Sequence, residues 1–432
     1  MASTEIVMGL RYDPASQVTQ ILHQLTATNA PINKAEYGYN GVGNRTSLTD
    51  RRGAQAFGYD TLDRLTSASH PLLATPQAFA YDPVGNRTTA GNVTNAGNQL
   101  TADANHSYQY DDNGNLTRKT LLATGNFTQY TYDAENRLTK VEDFAAGNPT
   151  ATFTSTYRYD GLGRRIEKIG NGQTRRYVYD NEDILLEYDE TNTLLARYTH
   201  GPGIDEPIAM QRGGATYFYH QDGLGSVTEL TDSAASTARS YAYDVWGNLL
   251  EQTGTVENPY TYTARELDAE SGLYYYRARY YNSVIGRFQL KDPAGLGRGM
   301  SAYLYADGNP ATLIDPDGLQ AVPYPTPGPP IPFPLPPIAL PGSPENRQAA
   351  EATAEAFRQL RDTLQNLRKG KWTCTAQCNV QSIGKGCCPD RVTGTASGPS
   401  EEIACRDAKR AATQSTPTGC YPRHCKCICS KN

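Results

Sequence analysis

Cysteine is absent before Cys374, and methionine (4), tryptophan (2), histidine (6) and phenylalanine (9) are scarce in a chain of 432 residues. The missing cysteines exclude a disulfide framework or a thiolate metal site from everything upstream, and the few histidines argue against an imidazole-rich one. No stretch is apolar for long enough to span a membrane, and no basic segment followed by an apolar core reads as an export signal. Export is therefore expected to need a dedicated machine or a missing N-terminal region.

Tyrosine (30) and glycine (39) are abundant instead, together with many Asn and Asp. This is the composition of short strands and tight turns, not of a helical enzyme. A hydrophobic fraction of 38% and the length predict a soluble protein of two or three domains. Charge is uneven: the net −5 divides into −11 up to Leu319 and +6 from Gln320 onward, so the tail suits an anionic partner and the body does not.

A phrase recurs through the first two thirds with a period of roughly 20 to 30 residues, the range of repeat architectures. It reads Tyr81-Asp82-Pro83-Val84-Gly85-Asn86-Arg87, then Tyr110-Asp111-Asp112-Asn113-Gly114-Asn115-Leu116, Tyr132-Asp133-Ala134-Glu135-Asn136-Arg137-Leu138 and Tyr159-Asp160-Gly161-Leu162-Gly163-Arg164-Arg165. The Asp carboxylate can fold onto the backbone N–H two residues on, and Gly or Asn at the end accepts positive φ, so each phrase closes a hairpin. One hairpin cannot bury its apolar face, so neighbours must pair edge to edge into a long curling sheet. Tyrosines at the same place in every unit point to cross-strand packing with the hydroxyl at a wet surface, rather than to a stacking platform for sugar.

From Tyr217 the text becomes denser and does not repeat: Tyr219-His220-Gln221-Asp222-Gly223-Leu224-Gly225, Tyr243-Asp244-Val245-Trp246-Gly247, Glu270-Ser271-Gly272-Leu273-Tyr274-Tyr275-Tyr276-Arg277-Ala278-Arg279-Tyr280-Tyr281, and Gly286-Arg287-Phe288. It closes with Asp292-Pro293-Ala294-Gly295-Leu296 and, from Pro310, a P-x4-D-P-x-G-L phrase ending Asp315-Pro316-Asp317-Gly318-Leu319. Repeats and closing text together resemble RHS/YD-repeat proteins and the C components of insecticidal toxin complexes. That resemblance implies a mainly β fold, a partial shell of YD hairpins with an RHS-associated core. The repeats are too few to close a whole shell.

The family cuts itself immediately after the Leu of that phrase, with a pair of aspartates as in an aspartic protease. Carried onto this chain, the resemblance makes Asp292 and Asp315 catalytic, Leu319–Gln320 the scissile bond, and Arg287 the candidate to orient or charge-balance the acids. Two close carboxylates cannot both ionise cheaply, so one keeps a proton as acid while the other activates water as base. Either Asp-Pro-x-Gly phrase alone reads as a type I turn. Two of them in the family's order, with a composition break directly after Leu319, favour self-cleavage.

Beyond the break, Val322-Pro323-Tyr324-Pro325 opens a proline-rich stretch running to Pro341, read as an extended polyproline spacer. Ser343-Pro344-Glu345 then caps an amphipathic helix with Phe357, Leu360, Leu364 and Leu367 on its apolar stripe. The expected domains are 1–216 (YD repeats), 217–319 (core), 320–342 (linker), 343–370 (helix) and 371–432, a small cysteine-rich α+β module of ββαβ order. Its strand partners place Cys374 and Cys378 on one face and Cys425, Cys427 and Cys429 on another, and these, with Cys405 and Cys420, are expected in disulfides. Zinc is the alternative, disfavoured because paired C-x2-C knuckles are missing; no other cofactor is expected. Nine cysteines are odd in number, so one thiol should stay free.

The module carries a net +5 from Lys371 onward. Arg406, Lys409 and Arg410 line one helix side, as a solvated basic face or as a phosphate-contacting face of a nucleic-acid-targeting toxin. His424, between Arg423 and the Cys425-Lys426 pair, is a candidate general base. By position the module resembles the variable toxic tip of a polymorphic toxin, which implies a secreted or delivered bacterial effector with a cognate immunity protein and secretion-system or toxin-complex partners. A cell-surface adhesin and an inactive recombination remnant are the alternative readings.

Overall fold

The computed structural model describes residues 6–293, 295, 301–324, 372–382, 389–398, 401–416 and 420–431. Of the linker expected over 320–342 and the helix over 343–370, residues 325–370 lie outside the described residues, while Val322–Pro323 at the linker's start pairs as a strand. The chain divides into two compact units, Met1–Pro332 and Phe333–Asn432. Among the described residues no helix is long and apolar enough to cross a membrane.

The first unit is built from antiparallel strands that each pair with their sequence neighbour: seven strands from Ile6 to Ala78, then sixteen from Val93 to Gly254. The turn chemistry of the repeat explains this order. Asp133 Oδ1 accepts the backbone N–H groups of Glu135 and Arg137 at 2.9 Å each, while its Oδ2 takes the Arg137 Nε–H at 2.7 Å. Asp160 repeats the pattern with Leu162 and Arg164. The third residue after the Asp has positive φ, as at Gly163 (83°) and Asn136 (62°), and the ladder carries a bulge at the Tyr that precedes it. The same turn closes at Asp222–Gly225 and Asp244–Gly247, so the meander runs past Tyr217 to Gly254.

Tyr12 is 47% exposed, but the tyrosine of the typical unit is not at a wet surface, which corrects the sequence-based expectation. Its ring packs inward, and its hydroxyl donates to the backbone of the preceding unit: Tyr81 to Leu65 O (2.7 Å), Tyr132 to Leu116 O (2.9 Å), Tyr159 to Leu138 O (2.6 Å) and Tyr243 to Val227 O (2.7 Å). A buried hydroxyl must find a partner, and the start of the previous unit's outgoing strand is the carbonyl within reach. Each of these tyrosines is thus spent on joining repeats and does not offer a sugar platform.

The core text packs against these sheets. Its four short strands, Glu266–Asp268, Leu273–Tyr276, Arg279–Asn282 and Arg287–Phe288, form one antiparallel sheet. One side buries Tyr274, Tyr276, Tyr281 and Phe288 with Trp246, Tyr262 and Tyr305. The other sets Leu273, Tyr275 and Tyr280 against Leu116, Tyr130, Leu138 and Tyr157 of the long sheet. Buried ion pairs lock the two together: Arg165 reaches Asp268 (2.5 Å) and Glu266 (2.7 Å), and Arg265 reaches Asp205 (2.6 Å). The seven-stranded sheet joins the long one at Asn33–Thr228 (2.6 Å) and at His23 and His220, whose rings meet edge-on with centroids 4.9 Å apart.

In the second unit the strand Trp372–Ser382 lies between Arg391–Gly398 and Cys420–Lys431, with the helix Glu401–Gln414 on one face. Ala404, Ala408 and Ala412 face the sheet at intervals of four, and the fit is close at Gly394, where a β-carbon would lie 2.0 Å from Ala412 N. Disulfides join Cys374 to Cys429, Cys378 to Cys425 and Cys405 to Cys427, tying the central strand and the helix to the last strand. The side chain of Cys420 lies outside the described residues.

Candidate functional site

The candidate site forms where the core text ends. Asp315, Pro316, Asp317 and Gly318 make a turn closed by the Gly318 N–H on Asp315 O (3.2 Å). Gly318 has φ 66°, and a β-carbon there would come within 2.6 Å of Tyr276 O, so both conformation and space demand glycine. The chain then returns on itself, with Leu313–Ile314 pairing antiparallel with Val322–Pro323. The Leu319–Gln320 bond hangs in the loop between these paired segments.

Asp315 organises that loop. Its Oδ1 accepts the N–H of Leu319 (2.8 Å) and the N–H of Gln320 (2.9 Å), the amide of the bond expected to be cut. Its Oδ2 meets Arg279 Nη2 at 3.0 Å, and the same nitrogen lies 3.1 Å from Asp292 Oδ2. The two acids named from the sequence are therefore brought to a single guanidinium nitrogen. Arg279 also donates through Nε to Gly318 O and through Nη1 to Ala302 O (3.2 Å). Its side chain is 1% exposed and that of Asp315 3%, whereas Asp292 keeps 15%. Burial pushes the Asp315 carboxyl above the usual carboxylate range; Arg279 and the two N–H groups oppose that, and Asp292 adds to it.

Arg287, the arginine expected beside the acids, is elsewhere. Its Nη2 binds Asn98 O (2.5 Å), Asn86 Oδ1 (3.2 Å) and Ser301 Oγ (3.3 Å), holding the core to the repeat wall. The antiparallel register explains the exchange of roles. Asn282 pairs with Arg287 and Tyr281 with Phe288, so Arg287 sits at the turn end of that hairpin. Arg279 lies at its open end, where the chain leaves toward Asp292. The sequence did carry a signal for Arg279: an arginine inside a tyrosine-rich strand must be paired when buried.

In the second unit the helix sets Arg406, Lys409 and Arg410 on its exposed side, with Arg406 paired to Asp407 at 3.2 Å. The side chains of Arg423 and His424 lie outside the described residues.

Comparison with known proteins follows the same division. The profile of the Teneurin YD-shell family matches residues 3–298. The tRNA3(Ser)-specific nuclease WapA of Bacillus spizizenii is 36% identical over 280 residues, which is 60% of this chain and 12% of that protein. Double-stranded DNA deaminase toxin A of Burkholderia cenocepacia is 30% identical over 324 residues, 66% of this chain and 22% of the other. The chain thus spans between an eighth and a quarter of the length of these relatives. Among solved structures, the TcdB2-TccC3 crystal structure superposes with a TM-score of 0.52 at 20% identity, covering 73% of this chain and 19% of that one, which reports a shared fold. With a family profile spanning most of the first unit and the YD turn recurring through its sheets, the chain belongs to the Teneurin YD-shell family of RHS/YD-repeat proteins.

Proposed function

We propose that this chain is part of an RHS-type polymorphic toxin, in which the YD shell and its core cut the backbone after Leu319 and free the segment from Gln320 onward as an effector. The observation that carries the reading is the hydrogen bond from the Gln320 amide to Asp315, with Arg279 tying that acid to Asp292. In the step we envisage, Asp292, the more exposed acid, takes a proton from water whose oxygen attacks the Leu319 carbonyl carbon. Asp315, whose burial favours the neutral form, is assigned the proton that passes to the Gln320 nitrogen as the C–N bond breaks. The products are a Leu319 carboxylate and a Gln320 amine. The bond is intramolecular and already in place, so proximity supplies much of the acceleration. Two carboxylates and water suffice, and the step calls on no cofactor.

Arg279 replaces Arg287 as the charge-balancing residue in this reading. The effector role of the second unit draws on its position after the cut, its net positive charge and the nuclease and deaminase names of relatives that share the shell. A nucleic acid is the target such a basic module suits, with Arg406, Lys409, Arg410, Arg423 and His424 as its candidate contacts. A cognate immunity protein and a delivery machine are the partners the reading requires.

The test is direct. Purified full-length chain should yield a fragment beginning at Gln320, identified by mass spectrometry, and Asp315→Asn should yield none. Persistence of the intact species in the wild type would end the self-cleavage reading. Expression of the wild-type chain should arrest growth, and Asp315→Asn should relieve the arrest if release is what arms the module.

A further inference from the structure

The chain is pinned on both sides of the candidate scissile bond, and the far pin is a tyrosine. After Val322–Pro323 pairs with Leu313–Ile314, Tyr324 turns its ring onto Gly225, the positive-φ residue (77°) of the Asp222 turn. A β-carbon at position 225 would lie 2.5 Å from Tyr324 Cε2 and 2.9 Å from its hydroxyl, so the ring occupies the space a side chain would need. Burial together with the carboxylates of Glu206, Asp205 and Asp222 keeps the phenol neutral. One wall of this seat is wired to the turn before the bond: Asp205 holds Arg277 (2.9 Å), and Arg277 Nη1 donates to Pro316 O (2.7 Å). Between the two pins Gln320 is exposed, and its amide rests on one acceptor, Asp315 Oδ1.

We propose that Tyr324 is a positioning residue for cleavage at Leu319–Gln320, a wedge that fixes the chain beyond the bond so that the Gln320 amide stays against Asp315. Leu319 and Gln320 are exposed and Ala321 is half-buried, and without a distal pin the amide would share its time among many loop geometries. A displacement of about 1 Å at a reacting group costs up to about 100-fold in rate. The wedge acts through the ring, so phenylalanine should serve and alanine should not. The proposal rests on the self-cleavage reading above, and the experiment separates the two.

Full-length wild type, Tyr324→Ala and Tyr324→Phe are followed by denaturing gel and mass spectrometry for the rate of cleavage, and by thermal unfolding. Tyr324→Ala should cleave about tenfold or more slowly, with Tyr324→Phe near the wild-type rate and the melting temperature of the shell unchanged in both. Amide exchange over residues 320–324, measured in the Asp315→Asn background, should accelerate when Tyr324→Ala is added. Wild-type cleavage by Tyr324→Ala, or unchanged exchange over 320–324, overturns the proposal. If the wild type is itself never cut, self-cleavage fails, and the exchange comparison alone decides whether Tyr324 holds the arm.

Discussion

At the scale of single residues, the candidate site depends on one buried cation between two acids. Removing Arg279 leaves Asp315 buried without its partner, a loss of about 3–5 kcal/mol in comparable cases. Arg279→Leu should therefore lower the melting temperature and abolish fragment release together. Gly318→Ala tests the turn alone: positive φ costs about 1–2 kcal/mol for a side chain, and the new β-carbon would press on Tyr276 O. Cleavage should slow by about tenfold or more as the Asp315 turn shifts. Because the Asp315 carboxyl is pushed above its ordinary range and carries the donated proton in the proposed step, the cleavage rate should fall as pH rises beyond the usual carboxylate range. A rate that climbs with pH would reverse the assignment of acid and base. Asp292 and Asp315 were named through the resemblance of their Asp-Pro-x-Gly phrases to the family's closing text, and the structure brings both to Arg279. Arg279 was passed over for Arg287 because spacing along the chain does not reveal which end of a hairpin faces the acids.

At the scale of elements, the seam between the two large sheets responds to pH. His23 and His220 are both buried, and burial pulls His23 down to about 4 and His220 well below its ordinary value, with His23 adding to the lowering at His220. The groups around them are Gln221 O on His23, Thr231 Oγ1 on His220, and Glu229 across the ladder, itself held by Arg51 at 2.8 Å. A depressed imidazole is neutral when folded and protonated when unfolded, so its contribution is whole above pH of about 6.5 and is lost as pH falls toward 4. For His23 this amounts to about 3 kcal/mol. The melting temperature should drop across that window, and His23→Gln should flatten the drop. In the second unit the three disulfides among the described residues tie thin elements, and the helix buries only the small side chains Ala404, Ala408 and Ala412 against the sheet. Reduction should cost about 2–4 kcal/mol for each bridge and melt the module while the shell persists, as separate transitions in calorimetry would record.

At the scale of the whole first unit, the core holds the wrapped sheets through aromatic faces and a few buried ion pairs. Arg165 spans the Glu266 and Asp268 carboxylates with Tyr275 beneath it, its guanidinium carbon 4.4 Å from that ring's centroid. Arg165→Ala strips two buried acids of their partner and should cost about 3–5 kcal/mol by chemical denaturation. A much smaller loss would mean that Lys168, 2.9 Å from Asp268, takes over. The same interlock explains why the candidate site lies where it does. Asp292 and Asp315 stand on segments that leave the core sheet, so they meet only once that sheet is seated against the repeats.

The sequence by itself determined the repeat, its turns and the order of strands. Asp, a Gly or Asn with positive φ, and a tyrosine at fixed spacing act over a few residues, and local chemistry needs no distant partner. It also determined the ββαβ order of the terminal module and the facing sets of cysteines, through the period of two along a strand. Only the tertiary structure decided that the tyrosine hydroxyls join successive units, that Arg279 and not Arg287 contacts Asp292 and Asp315, and that Tyr324 reaches Gly225. Each of these joins residues that lie far apart along the chain or at opposite ends of one hairpin. Such contacts follow from which faces meet when the sheets close on the core, and pattern along the chain does not encode that.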